Sequence, residues 1–323
     1  MINSFPKRIL IVQVGKIGDM ILTTPLFSEL KKLFPDCEIY VLTSKVNNEI
    51  ALRDKNVSGT IVYKKNAFSV LKLIFTLRKI KFDYWIDTKD EHSSTSKTLL
   101  KFGNYSESIG FNTKDNLFDI SLKEFVKGEH AVNINLSPIS YFKKDYEVKT
   151  LKPSINIPSE ISNKFSNIFS KINNKKILIN ISAGVENRYW KTENWLKLIN
   201  EIDKDYSILL ISDFKDKNLA DKIIVGYKGN NLTYISADSI FEVAEIVRNC
   251  DVIVTPDTSI VHLASCFNKP IVAMFHNVEW VIKRYAPLSD KNRIIISKAN
   301  DSIEDISVGE VISNFREMMS YKC

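Results

Sequence analysis

The sequence predicts a two-domain α/β protein built on open parallel sheets. Three observations carry the prediction. The chain opens on a strand, a short loop, a helix and a second strand, the unit from which parallel sheets are assembled. The same alternation begins afresh after a proline-bearing stretch near the middle. The length, 323 residues, corresponds to about two domains, each able to bury its own core without disulfide or metal staples.

Taken in order, RILIVQV at 8–14 is a short, β-branched apolar run that suits a buried parallel strand. GKIGD turns the chain, and MILTTPLFSELKKLF follows with apolar residues at helical spacing: Ile21, Leu22, Leu26, Phe27, Leu30 and Leu33. Pro35 and Asp36 stop that helix, and CEIYVLTS returns as a strand. GTIVYK and FDYWIDT read as further strands, with the helix FSVLKLIFTLRKI between them. Residues 137–160 hold Pro138, Pro153 and Pro158 among Lys, Ser and Asn and read as the linker, which places the domains at 1–158 and 159–323. The second half runs KKILINISAG (strand and loop), KTENWLKLINEID (helix), DYSILLISD (strand), IFEVAEIVRNC (helix), CDVIVTP (strand), DTSIVHLASCFN (short helix) and KPIVAMF (last strand). Two such halves have the sequence form of two facing Rossmann-like domains.

Composition excludes several classes. Apolar residues make up 44% and charged residues 26%, an ordinary globular balance. No apolar run reaches the ~18–20 residues of a membrane span. The first apolar stretch is broken by Gly15, Lys16 and Asp19, unlike a signal peptide, so the chain reads as cytosolic. Cys37, Cys250, Cys266 and Cys323 show no CxxC spacing, and with four His the chain offers no evident metal site. The first 158 residues carry 24 Lys and Arg against 17 Asp and Glu, the rest 21 against 21, so the whole charge of +7 lies in the first half. A basic half beside a neutral one fits a domain that meets an anionic partner, although Lys-rich codon usage produces such an excess as well. The chain shows no nucleic-acid recognition motif.

Three loops carry candidate chemistry. Gly15–Asp19 follows the first strand, where open α/β sheets bind ligands. Asp19 at a helix start reads either as an N-cap or, beside Met20, Ile21 and Leu22, as a general base, a role worth ~10²–10⁴ in rate. Asp257-Thr258-Ser259 follows a strand and opens a helix, whose free N–H groups and dipole favour a diphosphate. Asp257 there would accept from ligand hydroxyls, and His262 lies one turn on, either in the site or in the core. In SAGVENRYW at 182–190, Ser182 and Gly184 let backbone approach a ligand, and Arg188 offers a fork to phosphate oxygens, while Trp190 and Trp195 read as core.

Together these segments resemble the bacterial glycosyltransferase family nine, the ADP-heptose:lipopolysaccharide heptosyltransferases. The matching stretches are RILIVQVGKIGDMILTTPLFSELKKLFPDCEIYVLTS, FDYWIDTKDEHSSTSKTLLKF with SIGF, NISAGVENRYWKTENWLKLI, and CDVIVTPDTSIVHLASCFNKPIVAMF, in family order over nearly the whole chain. The resemblance implies a GT-B architecture, with acceptor on the N-terminal domain, nucleotide sugar on the C-terminal one, a cleft between them, and a last helix that crosses back to the first domain. It implies Asp19 as catalytic base. On the donor side it implies Ser182, Gly184, Arg188, Asp213 (with Asp216 as the other ribose candidate), Asp257, Thr258, Ser259 and His262, and on the acceptor side Gly18, Lys89 and His92. Two departures stand out: Ser259 takes the place of a usual Gly, and His92 that of a frequent Arg. The implied reaction is inverting transfer of heptose from ADP-heptose to the anionic inner core of lipopolysaccharide, Kdo- or heptose-bearing lipid A. It would run on the cytoplasmic face of the inner membrane, with no cofactor or metal. Another nucleotide sugar or acceptor, or a non-catalytic nucleotide-sugar-binding role, stay open. A dehydrogenase is disfavoured by the missing GxGxxG.

Overall fold

The computed structural model describes residues 5–320 apart from 92, 114–115, 150 and 203. The chain divides into two compact units, Met1–Asn156 and Ile157–Cys323.

In the first unit the strands are β1 (Arg8–Gln13), β2 (Glu38–Ser44), β3 (Gly59–Tyr63), β4 (Phe82–Asp87), β5 (Tyr105–Gly110) and β6 (Ile120–Ser121). Its helices are α1 (Ile17–Leu33), α2 (Asn48–Leu52), α3 (Ala67–Lys79), α4 (Ser94–Leu100), α5 (Ala131–Asn135) and α6 (Ser137–Phe142). The sheet order is β3-β2-β1-β4-β5-β6. Every pairing is parallel. β1 is central and apolar on both faces, with Ile9, Leu10, Ile11 and Val12 all buried, as a strand covered by helices on both sides must be.

Pro25 lies inside α1 and cannot donate to the carbonyl of Ile21. Thr24 Oγ1 supplies that bond instead at 2.8 Å. The next carbonyl, Leu22, accepts from Asn135 Nδ2 at 3.0 Å. The proline is thus accommodated by local polar groups, and α1 runs on to bury Leu26, Phe27 and Leu30.

In the second unit the strands are β7 (Lys176–Asn180), β8 (Ser207–Ile211), β9 (Leu232–Tyr234), β10 (Val252–Pro256), β11 (Ile271–Phe275) and β12 (Asn292–Ile296). Its helices are α7 (Ser159–Phe169), α8 (Thr192–Glu201), α9 (Lys217–Gly226), α10 (Ile240–Asn249), α11 (Ser259–Cys266), α12 (Glu279–Tyr285) and α13 (Val308–Ser320). The order β12-β11-β10-β7-β8-β9 repeats the first sheet's winding, read from the other edge, and its pairings are parallel as well. The core gathers β-strand side chains with Trp190 and Trp195, whose rings meet edge to face at 4.9 Å.

Several expectations are corrected. Part of the stretch read as a linker is helix α6, with Pro138 in its first turn, where the missing N–H costs nothing. KPIVAMF is not the last strand, since β12 pairs beyond it. β5, β6 and β9 are further strands that the reading omitted. The final helix buries Val311, Ile312, Phe315 and Met318 in the second unit's core. Cys37, Cys250 and Cys266 are free, and burial pushes the Cys37 thiol up to about 12. Cys323 lies outside the described residues. No described helix is long and apolar enough to cross a membrane.

Candidate active site

Each sheet reverses its winding at one place, between β1 and β4 in the first unit and between β7 and β10 in the second. Connections leave such a point on opposite faces, and the crevice beyond the strands' carboxyl ends is where doubly wound sheets hold ligands. Nearly all the candidate residues fall on the loops at these two points.

In the first unit, β1 runs into Val14-Gly15-Lys16 and then α1. Asn47 Nδ2 donates to the carbonyls of Gln13 and Gly15 at 2.9 and 3.1 Å, and Ser44 Oγ donates to Gly15 at 3.0 Å. The loop is therefore fixed from its β2 side. A Cβ at Gly15 would lie 2.5 Å from Asp19 Oδ2 and 2.8 Å from Gln13 Oε1, so a side chain there would displace the ends of both. Asp19 stands at the third position of α1, not at its N-cap, which is Lys16. Its Oδ2 accepts from the Lys16 N–H at 2.8 Å, closing the helix start from the N3 side. No other partner of that carboxylate occurs among the described residues. Gly18 occupies the preceding helical position, half-buried.

β4 ends on Asp87, which is 1% exposed. Oδ1 accepts from the Lys89 N–H at 3.0 Å, and Oδ2 has no hydrogen bond. Burial pushes this carboxyl up to about 6. Asp87 and the exposed Lys89 line a small recess with Ser93 and Phe111. His92 lies outside the described residues. Asp87 was missed by the sequence reading, where its signal is an acid closing an apolar strand.

In the second unit, Asn180 at the end of β7 ties the two loops together. Its Nδ2 donates to the Ser182 carbonyl at 3.0 Å and to Thr255 Oγ1 at 2.9 Å, and lies 3.5 Å from Thr258 Oγ1. Ser182 Oγ accepts from the Asp213 N–H at 2.7 Å, which brings the loop after β8 to the same place. Asp213 is exposed, whereas Asp216 is buried and accepts from Tyr189 OH at 2.9 Å. Of the two ribose candidates, only Asp213 presents its carboxylate outward. Gly184 is exposed, and a Cβ there would meet nothing within 4 Å, so the unit's own packing does not demand glycine.

Arg188 and Asp257 are joined. Arg188 Nη1 lies 2.9 Å from Asp257 Oδ2 and donates to the Asp257 carbonyl at 3.1 Å. The pairing was not foreseen, since Arg188 was read only as a phosphate partner. Thr258 is the N-cap of α11, accepting from the Ile260 N–H at 3.3 Å. Ser259 is the first helical residue and half-buried. His262 is buried with its ring 6.1 Å from that of Tyr285.

A second residue escaped the sequence reading. His276 follows β11 directly, and the Asp257 N–H donates to Met274 O at 2.9 Å at the same sheet end. It is 7% exposed, and its Nδ1 is buried without a hydrogen bond. Burial, then the nearby Arg188 charge, hold this imidazole below its ordinary value. Among the described residues, no group of three or more His, Cys, Asp or Glu is arranged to hold a metal.

Residues 70–309 match the family described as Glycosyltransferase family 9 (heptosyltransferase). The chain belongs to glycosyltransferase family 9. It is thus a glycosyltransferase. This family 9 enzyme is 21% identical to lipooligosaccharide heptosyltransferase 2 of Haemophilus influenzae, over 89% of this chain and 88% of that one. It shares its fold with the family 9 glycosyltransferase of Veillonella parvula, at a TM-score of 0.81 and 17% identity over 97% of each chain. The E. coli heptosyltransferase WaaC solved with ADP is also similar, at a TM-score of 0.77 and 15% identity over 96% of this chain and 99% of that one.

Proposed function

We propose that this family 9 enzyme is an inverting heptosyltransferase of lipopolysaccharide inner-core assembly, using ADP-L-glycero-D-manno-heptose as donor. The observation that carries the reading is the second unit's switch point, where a carboxylate clamped by Arg188 adjoins the capped start of α11. That pairing suits a nucleotide sugar: N–H groups for the diphosphate, an oriented carboxylate for sugar hydroxyls. The curated heptosyltransferase relatives support the sugar, and the ADP held by a solved relative supports the nucleotide.

On this reading Ser182, Gly184 and Ser259 receive the phosphates, Asp213 the ribose, Asp257 the heptose hydroxyls, and His262 supports the α11 turn. The acceptor is Kdo- or heptose-bearing lipid A, whose anionic groups Lys89 and Gly18's helix end would meet, at the cytoplasmic face of the inner membrane. Asp19 takes the acceptor hydroxyl proton as that oxygen bonds to the anomeric carbon. The bond from that carbon to the β-phosphate oxygen breaks, and ADP departs with the electron pair. Dipole and guanidinium charge then stabilise the leaving diphosphate.

The test is ADP release from ADP-heptose with either heptose-free Kdo-lipid A or a mono-heptosylated core. Turnover with one of them supports the reading and identifies the transfer. Tight ADP-heptose binding without turnover rejects these acceptors. No binding rejects the donor and leads to other nucleotide sugars.

A further inference from the structure

Helix α3 has two faces of different character. One is spent inward: Leu73 and Leu77 are buried in the first unit's core with Leu10, Leu42 and Trp85. The other is turned to solvent, yet it carries Phe68, Leu71 and Phe75, which are 79%, 66% and 69% exposed. Positions 68, 71 and 75 share one stripe of a helix. Isolated exposed apolar residues need no explanation, but a contiguous stripe of two phenylalanines and a leucine does. The helix does not require a partner to form, since Asn66 caps it by accepting from the Ser69 N–H at 2.9 Å and its other face is packed.

The charges of the segment that carries this stripe are of one sign. Between Asp54 and Asp83 the sequence holds Lys55, Lys64, Lys65, Lys72, Arg78, Lys79 and Lys81 and no acidic residue. That segment alone carries +7, equal to the net charge of the whole protein, so everything outside it balances. Lys72 and Lys79 share the outward face with the phenylalanines, both exposed, and Lys64 and Lys65 precede the helix, exposed as well.

We propose that the outward face of α3 seats the enzyme on an anionic lipid surface. Phe68, Leu71 and Phe75 enter the boundary between headgroups and acyl chains, and the surrounding lysines reach the phosphates along their apolar stems. The sign of the charge selects this occupant. A second copy docked face to face across a two-fold axis would set one +7 segment against another, whereas an anionic leaflet attracts it. The proposal rests on the proposed function only for which membrane is met, that of the lipid-linked acceptor.

The experiment is flotation of the full chain with vesicles of phosphatidylethanolamine and phosphatidylglycerol, beside vesicles of phosphatidylcholine alone. The wild type is expected to float with the anionic vesicles and to be released by salt. Phe68→Ser with Phe75→Ser is expected to lower partitioning roughly tenfold or more, because affinity follows inserted apolar area. Lys72→Glu with Lys79→Glu provides a second variant that leaves the apolar face intact and is expected to lose the preference for anionic vesicles. Wild-type protein that stays with neither vesicle overturns the proposal, and so does a serine pair that floats as well as wild type. Self-association abolished by the serine pair, without vesicle binding, assigns the face to a second copy and overturns it too. Turnover on a delipidated, soluble acceptor separates the two readings. It is unchanged in the serine pair if α3 only seats the enzyme, and its absence in wild type rejects the proposed function while leaving the vesicle result standing.

Discussion

Arg188 and Asp257, which lie on loops after different strands, hold one another at the carboxyl end of the second sheet. The guanidinium Nη1 meets both the Asp257 carboxylate, at 2.9 Å, and its backbone carbonyl, at 3.1 Å. The contact with the carboxylate is an ion pair without hydrogen-bond geometry at Oδ2, so the guanidinium is aligned on the carbonyl, and the buried Arg188 Nε has no hydrogen bond.

Replacing Arg188 by Ala therefore removes two things, a positive charge and the clamp on a buried acid. Breaking a buried pair by removing one partner costs ~3–5 kcal/mol, and Arg188 is partly exposed, so about 1–3 is expected here. For the reaction, we expect kcat/KM for the donor to fall by at least about tenfold. Initial rates over a range of ADP-heptose check this, and unchanged kinetics would remove Arg188 from the site.

Asp19 serves two purposes on this account, and they separate by substitution. Its carboxylate receives the Lys16 N–H, a bond that an amide oxygen also accepts. Asp19→Asn should thus melt near the wild-type temperature, whereas Asp19→Ala loses a helix-start bond worth about 1 kcal/mol. Both should lose ~10²–10⁴ in turnover and retain ADP binding, measured by calorimetry. An active Asn variant would sink the general-base role.

What was legible in the residues was local. β1 with α1, and β10 with α11, announce themselves because apolar strands run through short polar loops into helices that are themselves largely apolar and buried. β6 and β9 escaped because two or three residues at a sheet edge carry no period. β5 escaped because YSESIG buries only its last three positions. β12 begins on Asn292 and Arg293, with only Ile295 of its residues fully buried. The proline-marked linker hid α6, since a proline in the first turn of a helix looks like a break. The site divides along the same line. Asp19, Asp257 and Thr258 could be placed by their strands and helices, but the Arg188–Asp257 pair joins residues 69 positions apart. His276 showed only as a polar residue after five apolar ones.

Asp87 gives stability a pH dependence of predictable sign. Burial raises its carboxyl from 3.8 to about 6, so the folded chain binds this proton more tightly than the unfolded one. The stability tied to the neutral form is full below about pH 4 and is lost as pH rises through 6. Above that, the buried charge costs about 3 kcal/mol. Asp87→Asn keeps an acceptor for the Lys89 N–H and cannot ionise. Its melting temperature should exceed that of wild type at pH 7–8, with the gap closing toward pH 4. A gap that is constant across this range, or of opposite sign, would show that Asp87 ionises without penalty.

His276 reports on Arg188 from the neighbouring strand end. Burial is the larger cause of its lowered pKa and the Arg188 charge the smaller, so the imidazole is neutral at pH 7. Because the folded value is depressed, the stability His276 contributes is present above its unfolded pKa of about 6.5 and is lost as pH falls through the folded value. Arg188→Met removes the smaller cause alone. The His276 pKa should then rise while staying below 6.5, read by imidazole nitrogen shifts in an NMR titration. Saturating ADP should move it the same way, since a diphosphate at the α11 start brings opposing charge to Arg188. A titration that ignores both changes would place His276 outside the field of the donor site. One that responds to the substitution but not to ADP would keep Arg188 beside His276 and move the diphosphate elsewhere.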